Sequence, residues 1–163
     1  MIKEIQTRRS IRKYIDKPIS KEDLEDLLRA AMFAPTARNQ QTWRFIASNN
    51  REVLSGLSKI PAYKMLETAG AVIIVMGDLD ADTDIFNYVN CSAAVQNILL
   101  EAKAKGIGTC WCAIGPREER MNAIKDYFKL ADNLLPIALI SIGYPDEEKG
   151  IEDRYDENKV VWL

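Results

Sequence analysis

The sequence predicts one domain of mixed helices and strands, and three observations carry that expectation. Its 163 residues are 47% apolar, 28% charged and 8% aromatic, the balance of a globular domain rather than of a disordered, collagenous or low-complexity chain. Stretches with the apolar spacing of a helix alternate with short β-rich apolar runs. Neither an internal repeat of about 20 to 50 residues nor a Gly/Ser or Pro linker divides residues 1–163. A domain of this size buries roughly 70% of its unfolded surface, enough for a core and a ligand pocket without disulfide or metal staples.

The elements follow in order. Ser20 is placed to cap a helix, with Asp23 facing its free amides, and Leu24, Leu27, Leu28, Ala31 and Met32 follow at helical spacing until Pro35. Trp43 to Ala47 reads as a strand and a short helix runs through Val53 and Leu57. Ala71 to Val75 is a continuous apolar run suited to a buried strand, closed by Asp78 and Asp80 as turn residues. From Ile85 to Lys105 the chain is apolar on several faces and free of proline and glycine until Gly106. A helix of that kind must be buried nearly all round, which in so small a domain calls for a second subunit.

Gly108 to Ala113 reads as another strand. Pro116 suits the first turn of a helix, with Glu118 and Glu119 at its positive end. Leu134 to Ile142 is the last strand, with Pro136 near its start or at a sheet edge. After Gly143 the chain becomes charged and then ends on Val160, Val161, Trp162 and Leu163. Such an ending is either a strand folding back on its own sheet or an arm packed on a partner. With the long buried helix, the arm makes a homodimer the expectation.

Composition removes whole classes of chemistry. The chain has no histidine, so no Ser-His-Asp triad, Cys-His pair or imidazole metal site is available. Twenty-two basic against 24 acidic residues give a net charge of −2, without the basic excess of a dedicated nucleic-acid binder. Cys91, Cys110 and Cys112 are an odd set, and the start MIKEIQTRRS lacks the apolar core of a signal peptide, so a reducing cytoplasm is expected. The longest apolar run, near Ala69 to Met76, is far shorter than the ~20 residues of a membrane span.

Two segments carry candidate chemistry. TRRSIRKY, residues 7–14, sets Arg8, Arg9, Arg12 and Lys13 around Ser10. It is either a solvated basic face or a phosphate site, since guanidinium groups are fixed planar donors. On a helix, Arg8 and Arg12 stand four residues apart and point the same way, so that one anion spans both. APTARNQQTWRF, residues 34–45, is a polar loop carrying Thr36, Asn39, Gln40 and Gln41. It is either a turn rich in local hydrogen bonds or a reader of a planar heterocycle's edge. Cys110 and Cys112 share one strand face and lack the spacing of a metal site, so packing is expected. The pairs Glu118/Glu119 and Glu147/Glu148 read as solvated charge. No GxGxxG motif follows a strand, which leaves a Rossmann domain unsupported.

Four segments in order, TRRSIRKY, APTARNQQTWRF, QNILLEAKAKGIGTCW at 96–111 and a basic tail, resemble the FMN-dependent nitroreductase family over nearly the whole chain. The resemblance implies an α+β fold: a central, mainly antiparallel sheet flanked by helices, in an intertwined homodimer with an extended C-terminal arm and two FMN sites at the interface. It implies an NAD(P)H oxidoreductase that takes hydride from NADH or NADPH onto FMN. Small electrophilic acceptors such as nitroaromatics or quinones are then reduced in a ping-pong cycle. A flavin-binding or sensing module without catalysis, and a plain oligomerisation protein, are the other readings.

By the same resemblance, Arg8 and Ser10 hold the FMN phosphate and ribityl chain, with Arg9 between them and Arg12 at the pyrimidine end of the ring. Pro35, Thr36, Ala37 and Asn39 match the loop that reaches FMN from the second subunit. Ile114 and Gly115 match the position whose backbone amides face flavin N5 and O4, where a glycine permits close approach. Arg154 matches the tail residue that closes on the phosphate, with Lys159 a weaker candidate; Lys64 resembles a second basic ring contact of larger members. No catalytic side chain and no metal are implied. Thr42 departs from a common proline and Asn90 from a frequent aspartate. The segment before the long helix leaves no room for the helical lid of larger members, which implies a more open pocket.

Overall fold

The backbone amides of the run at 71–78 need neighbouring strands, and a computed structural model describing residues 1–163 shows where those strands lie. In chain order the elements are α1 (Lys3–Thr7), β1 (Tyr14–Ile15), α2 (Lys21–Met32), β2 (Trp43–Ser48), α3 (Arg51–Ser58), β3 (Ala71–Asp78), α4 (Asp84–Ala104), β4 (Gly108–Ala113), α5 (Glu118–Phe128) and β5 (Leu134–Pro145). The sheet runs β1-β5-β3-β2, with β4 paired to β5 beside β1, and all pairings between strands are antiparallel. This is the expected α+β architecture with a mainly antiparallel sheet.

All eight residues of β3 are buried, because β2 and β5 flank it and helices cover both faces. One core packs α2 and α4 on one face through Leu27, Ala31, Val95 and Ile98 against Ile73 and Ile140. The other packs α3, α5 and the 3-10 turn at Pro61–Glu67 on the opposite face through Leu57, Tyr63, Leu66 and Ile124 against Ile74 and Leu139. Each such fully buried aliphatic side chain stabilises the fold by about 1.5–3 kcal/mol.

Local rules hold at most boundaries. Ser20 Oγ accepts the N–H of Asp23 at 3.0 Å, as a helix cap should. Pro136 falls beside the register shift between Val75 and Met76, where a missing ladder donor is tolerated. Three expectations need correction. The helix after Pro116 begins at Glu118 with Arg117 as its cap, so the proline precedes the first turn. The last strand runs on to Pro145, because Tyr144 and Pro145 pair with β1. The segment after α1 is extended rather than helical: Arg8 has ψ 133° and Ser10 bridges Thr109.

α4 buries Cys91, Ala94, Val95, Ile98 and Ala102, yet Ile85, Phe86 and Val89 on its first turns are exposed within one protomer. The tail is not a strand of its own sheet. Val161 and Trp162 are each 83% exposed and Leu163 is fully so. No helix is long and apolar enough to cross a membrane.

Candidate flavin site

The arginine motif lies along the free edge of β4. Ile11 donates its N–H to Thr109 O at 2.9 Å and Ser10 bridges the same residue. In extended chain alternate residues share a side, so Arg8, Ser10 and Arg12 line up by a period of two instead of the helical period of four. Cys110 of β4 lies near this row: Cys112 first, then Arg12 and Ser10, draw its thiol below the ordinary value.

Arg8 and Arg9 border two cavities. One, of 330 Å³, also receives Arg154, Gln6 and Tyr155; the other, of 320 Å³, is lined by Lys103, Thr109, Glu147 and Lys149. Burial, then the charges of Arg9 and Arg154, pull the Arg8 guanidinium below its usual value. Arg9 donates through Nε to Gly150 O at 2.8 Å and through Nη1 to Arg8 O at 3.0 Å. Its Nη2 is buried without a hydrogen-bond partner. Arg154 is itself paired with Glu152 at 2.8 Å, and Glu152 and Asp153 line the same cavity; Arg8 beside Arg9 and the unmatched buried donor of Arg9 suit an anion such as a phosphate monoester.

At the far end of β4 the geometry differs from expectation. The N–H groups of Ile114 and Gly115 both donate to Ile137 O, at 3.0 and 3.2 Å. Neither amide is free as a ring donor, and Ile114 is fully buried. The missing Cβ of Gly115 is also already used, since a side chain there would collide with the Tyr88 hydroxyl. The glycine lets α4 pack against the strand end.

The 36–41 loop is a tight turn. Arg38, Asn39 and Gln41 have φ of 52°, 56° and 49°, a left-handed region that costs side-chain-bearing residues energy. Local bonds hold it: Gln41 N–H donates to Thr36 Oγ1 and Gln41 Nε2 to Asn39 Oδ1, both at 3.1 Å. Ala37 N–H donates to Asn90 Oδ1 at 3.1 Å, and Pro35 is exposed. Neither cavity beside Arg8 contains any of Pro35, Thr36, Ala37 or Asn39, so one protomer does not bring this loop to the arginine site. Residues 5–69 and 58–144 match the pattern of the nitroreductase family.

The chain belongs to the nitroreductase family. A protein of Archaeoglobus fulgidus, provisionally named an NADH dehydrogenase/NAD(P)H nitroreductase, is 41% identical over 98% of this chain and 95% of its own length. An FMN-dependent nitroreductase of Clostridium difficile R20291 has the same fold, with TM-score 0.91 and 32% identity over 99% of this chain and 98% of that one. A nitroreductase, provisionally so named, from Desulfovibrio desulfuricans, solved in complex with FMN, gives TM-score 0.84 and 27% identity over 99% and 95% of the two chains.

Among nitroreductase positions, the two departures from the family pattern are neighbours: Asn90 Nδ2 lies 3.5 Å from Thr42 Oγ1. Glu147, read as solvated charge, instead accepts the backbone N–H of Arg12 at 2.6 Å and of Lys13 at 3.2 Å. Lys149 donates to Ser10 O at 2.7 Å. Both lie in a charged run with no periodicity, so no sequence signal marked them. Cys110 and Cys112 face the arginine motif rather than apolar core alone. The neighbouring Cys112 thiol, aided by Arg12 and Ser10, draws the Cys110 thiol below its ordinary value, and the same neighbour together with burial raises Cys112.

Proposed function

We propose that this nitroreductase-family chain is an FMN-dependent NAD(P)H oxidoreductase. It works as a cytoplasmic homodimer and reduces small electrophilic acceptors, nitroaromatics and quinones among them, in a ping-pong cycle. The observation that carries the reading is the convergence of Arg8, Arg9 and Arg154 on one cavity, with Ser10 and Arg12 following Arg8 along the free edge of β4.

When bound, FMN accepts hydride from NADH or NADPH at its ring and passes reducing equivalents to the acceptor. Arg8 and Arg154 hold the phosphate, and the unmatched Nη2 of Arg9 adds a third donor. Ser10 offers its hydroxyl to the ribityl chain. Arg12 fixes a permanent cation at the pyrimidine end, where negative charge accumulates on reduction, and so stabilises both the reduced form and the path to it. Ile114 and Gly115, both buried, brace the strand end beside the reactive ring edge from beneath rather than by touching it. No side chain has to move a proton to the reacting carbon, so a chain without histidine suffices: orientation of two rings supplies the rate.

The second subunit completes the site. Pro35, Thr36, Ala37 and Asn39 reach the partner's FMN, which accounts for their distance from Arg8 within one protomer. The exposed apolar tail, Val160 to Leu163, lies as an arm on the partner, and the exposed start of α4 packs in the same interface.

Anaerobic stopped-flow mixing of the FMN-loaded protein with NADH and with NADPH tests the proposal. Reduction by either donor at a rate that keeps pace with turnover supports it. Tight FMN binding without reduction identifies a sensing module instead. Arg12→Ala should slow reduction and lower the flavin potential more than it weakens FMN binding; wild-type values for both would remove the role given to Arg12.

A further inference from the structure

The segment that carries Arg8, Ser10 and Arg12 is held by β4 on one side only through Ser10 and Ile11. Its other side is gripped by the loop that follows β5. Asp146 N–H donates to Lys13 O at 2.9 Å. Glu147 Oε1 accepts from the successive amides of Arg12 and Lys13. Lys149 Nζ donates to Ser10 O at 2.7 Å and pairs with Glu147 at 3.5 Å, and Gly150 O takes Arg9 Nε at 2.8 Å. Each residue from Arg9 to Lys13 thus bonds this loop or the strand edge, and Ile11 alone of them also packs into a core. Two adjacent amide N–H groups pointing at one carboxylate form a backbone anion nest, and here the chain's own Glu147 fills it, with its pKa held below the usual carboxylate range chiefly by the Arg12 amide.

We propose that Glu147 is a positioning residue for the flavin site: its carboxylate, seated in the Arg12–Lys13 amide nest and braced by Lys149, fixes the backbone from which Ser10 and Arg12 project. This rests on the FMN reading above. The Glu147 side chain is 19% exposed and lies outside both cores, so its loss frees the motif without unfolding the domain. The negative charge itself works against an anionic ligand. Its benefit therefore comes from geometry, and the two effects have opposite signs.

The test is FMN affinity, read from quenching of flavin fluorescence on titration into apoprotein, for wild type, Glu147→Ala and Glu147→Gln. Loss of a charge-assisted hydrogen bond predicts about tenfold weaker binding for Glu147→Ala, with the apoprotein melting temperature nearly unchanged. Glu147→Gln retains an acceptor oxygen and should recover most of the affinity. Acetate, a carboxylate small enough for the vacated nest, should partly restore Glu147→Ala and leave wild type unaffected. Unchanged or tighter binding by Glu147→Ala would overturn the positioning role. Failure of the wild-type protein to bind FMN would instead overturn the function proposed above.

Discussion

Asn90 on α4 joins the two ends of the loop that precedes β2: its oxygen accepts the Ala37 amide at 3.1 Å while its NH2 group lies 3.5 Å from the Thr42 hydroxyl. Asn90 and Thr42 are both buried, and between Ala37 and Thr42 the chain passes three left-handed residues. The turn is therefore anchored from the helix rather than by its own conformational preference. Asn90→Ala leaves the Ala37 N–H unpaired and should cost about 1–3 kcal/mol. Urea unfolding measures the loss, and faster proteolytic nicking at residues 36–41 locates it. Asn90→Asp keeps the acceptor and should protect the loop better than alanine does.

Arg8 is depressed by burial and by its neighbours Arg9 and Arg154, so these charges oppose folding in the absence of an anion. Arg8→Ala should leave the apoprotein melting temperature unchanged or raise it, and should weaken FMN binding by about tenfold or more. Calorimetric melts with and without FMN read both effects. A variant that melts lower without FMN and gains as much from FMN as wild type would show that Arg8 serves the fold alone.

The thiol of Cys110 gives a pH signature. A group whose value falls on folding stabilises the folded chain above its unfolded value and loses that contribution as pH drops through its folded value. With its folded value drawn below the ordinary 9.0, stability should climb as pH rises towards 9. The upward shift of Cys112 acts in the opposite sense only above that window. Urea midpoints at pH about 6 and about 8.5 should differ in wild type and converge in Cys110→Ser. The thiolate ultraviolet absorbance that grows over the same range should vanish in the variant.

Much of the fold was legible because burial imposes a period. Leu24, Leu27 and Ala31 marked α2, the unbroken run at 71–75 marked β3, and the proline-free stretch before Gly106 marked α4. The arginine motif has no apolar period, so nothing local separates helix from strand there; Thr109, far along the chain, decides by taking Ile11 and Ser10 into an extended pairing. The amides of Ile114 and Gly115 were assigned from a family position, and their use by Ile137 depends on where β5 passes. Glu147 escaped notice because a side chain that caps distant backbone amides leaves no pattern in its own neighbourhood.

The tail supplies a prediction about assembly. Removal of residues 160–163 takes away four apolar residues that are exposed in the protomer. Sedimentation should show a dimer for the full chain and a marked shift towards monomer for the truncated one, with FMN affinity falling in parallel, as the proposed sharing of each site between two subunits requires. A truncated chain that stays dimeric and binds FMN as before would place the arm outside the interface.

The central claim is most directly tested by the absorbance spectrum of the purified protein, supplied with FMN and then titrated anaerobically with NADH and NADPH. The account predicts flavin bands that remain with the protein through gel filtration and bleach when a nicotinamide donor is added. A colourless protein that fails to retain added FMN would contradict it.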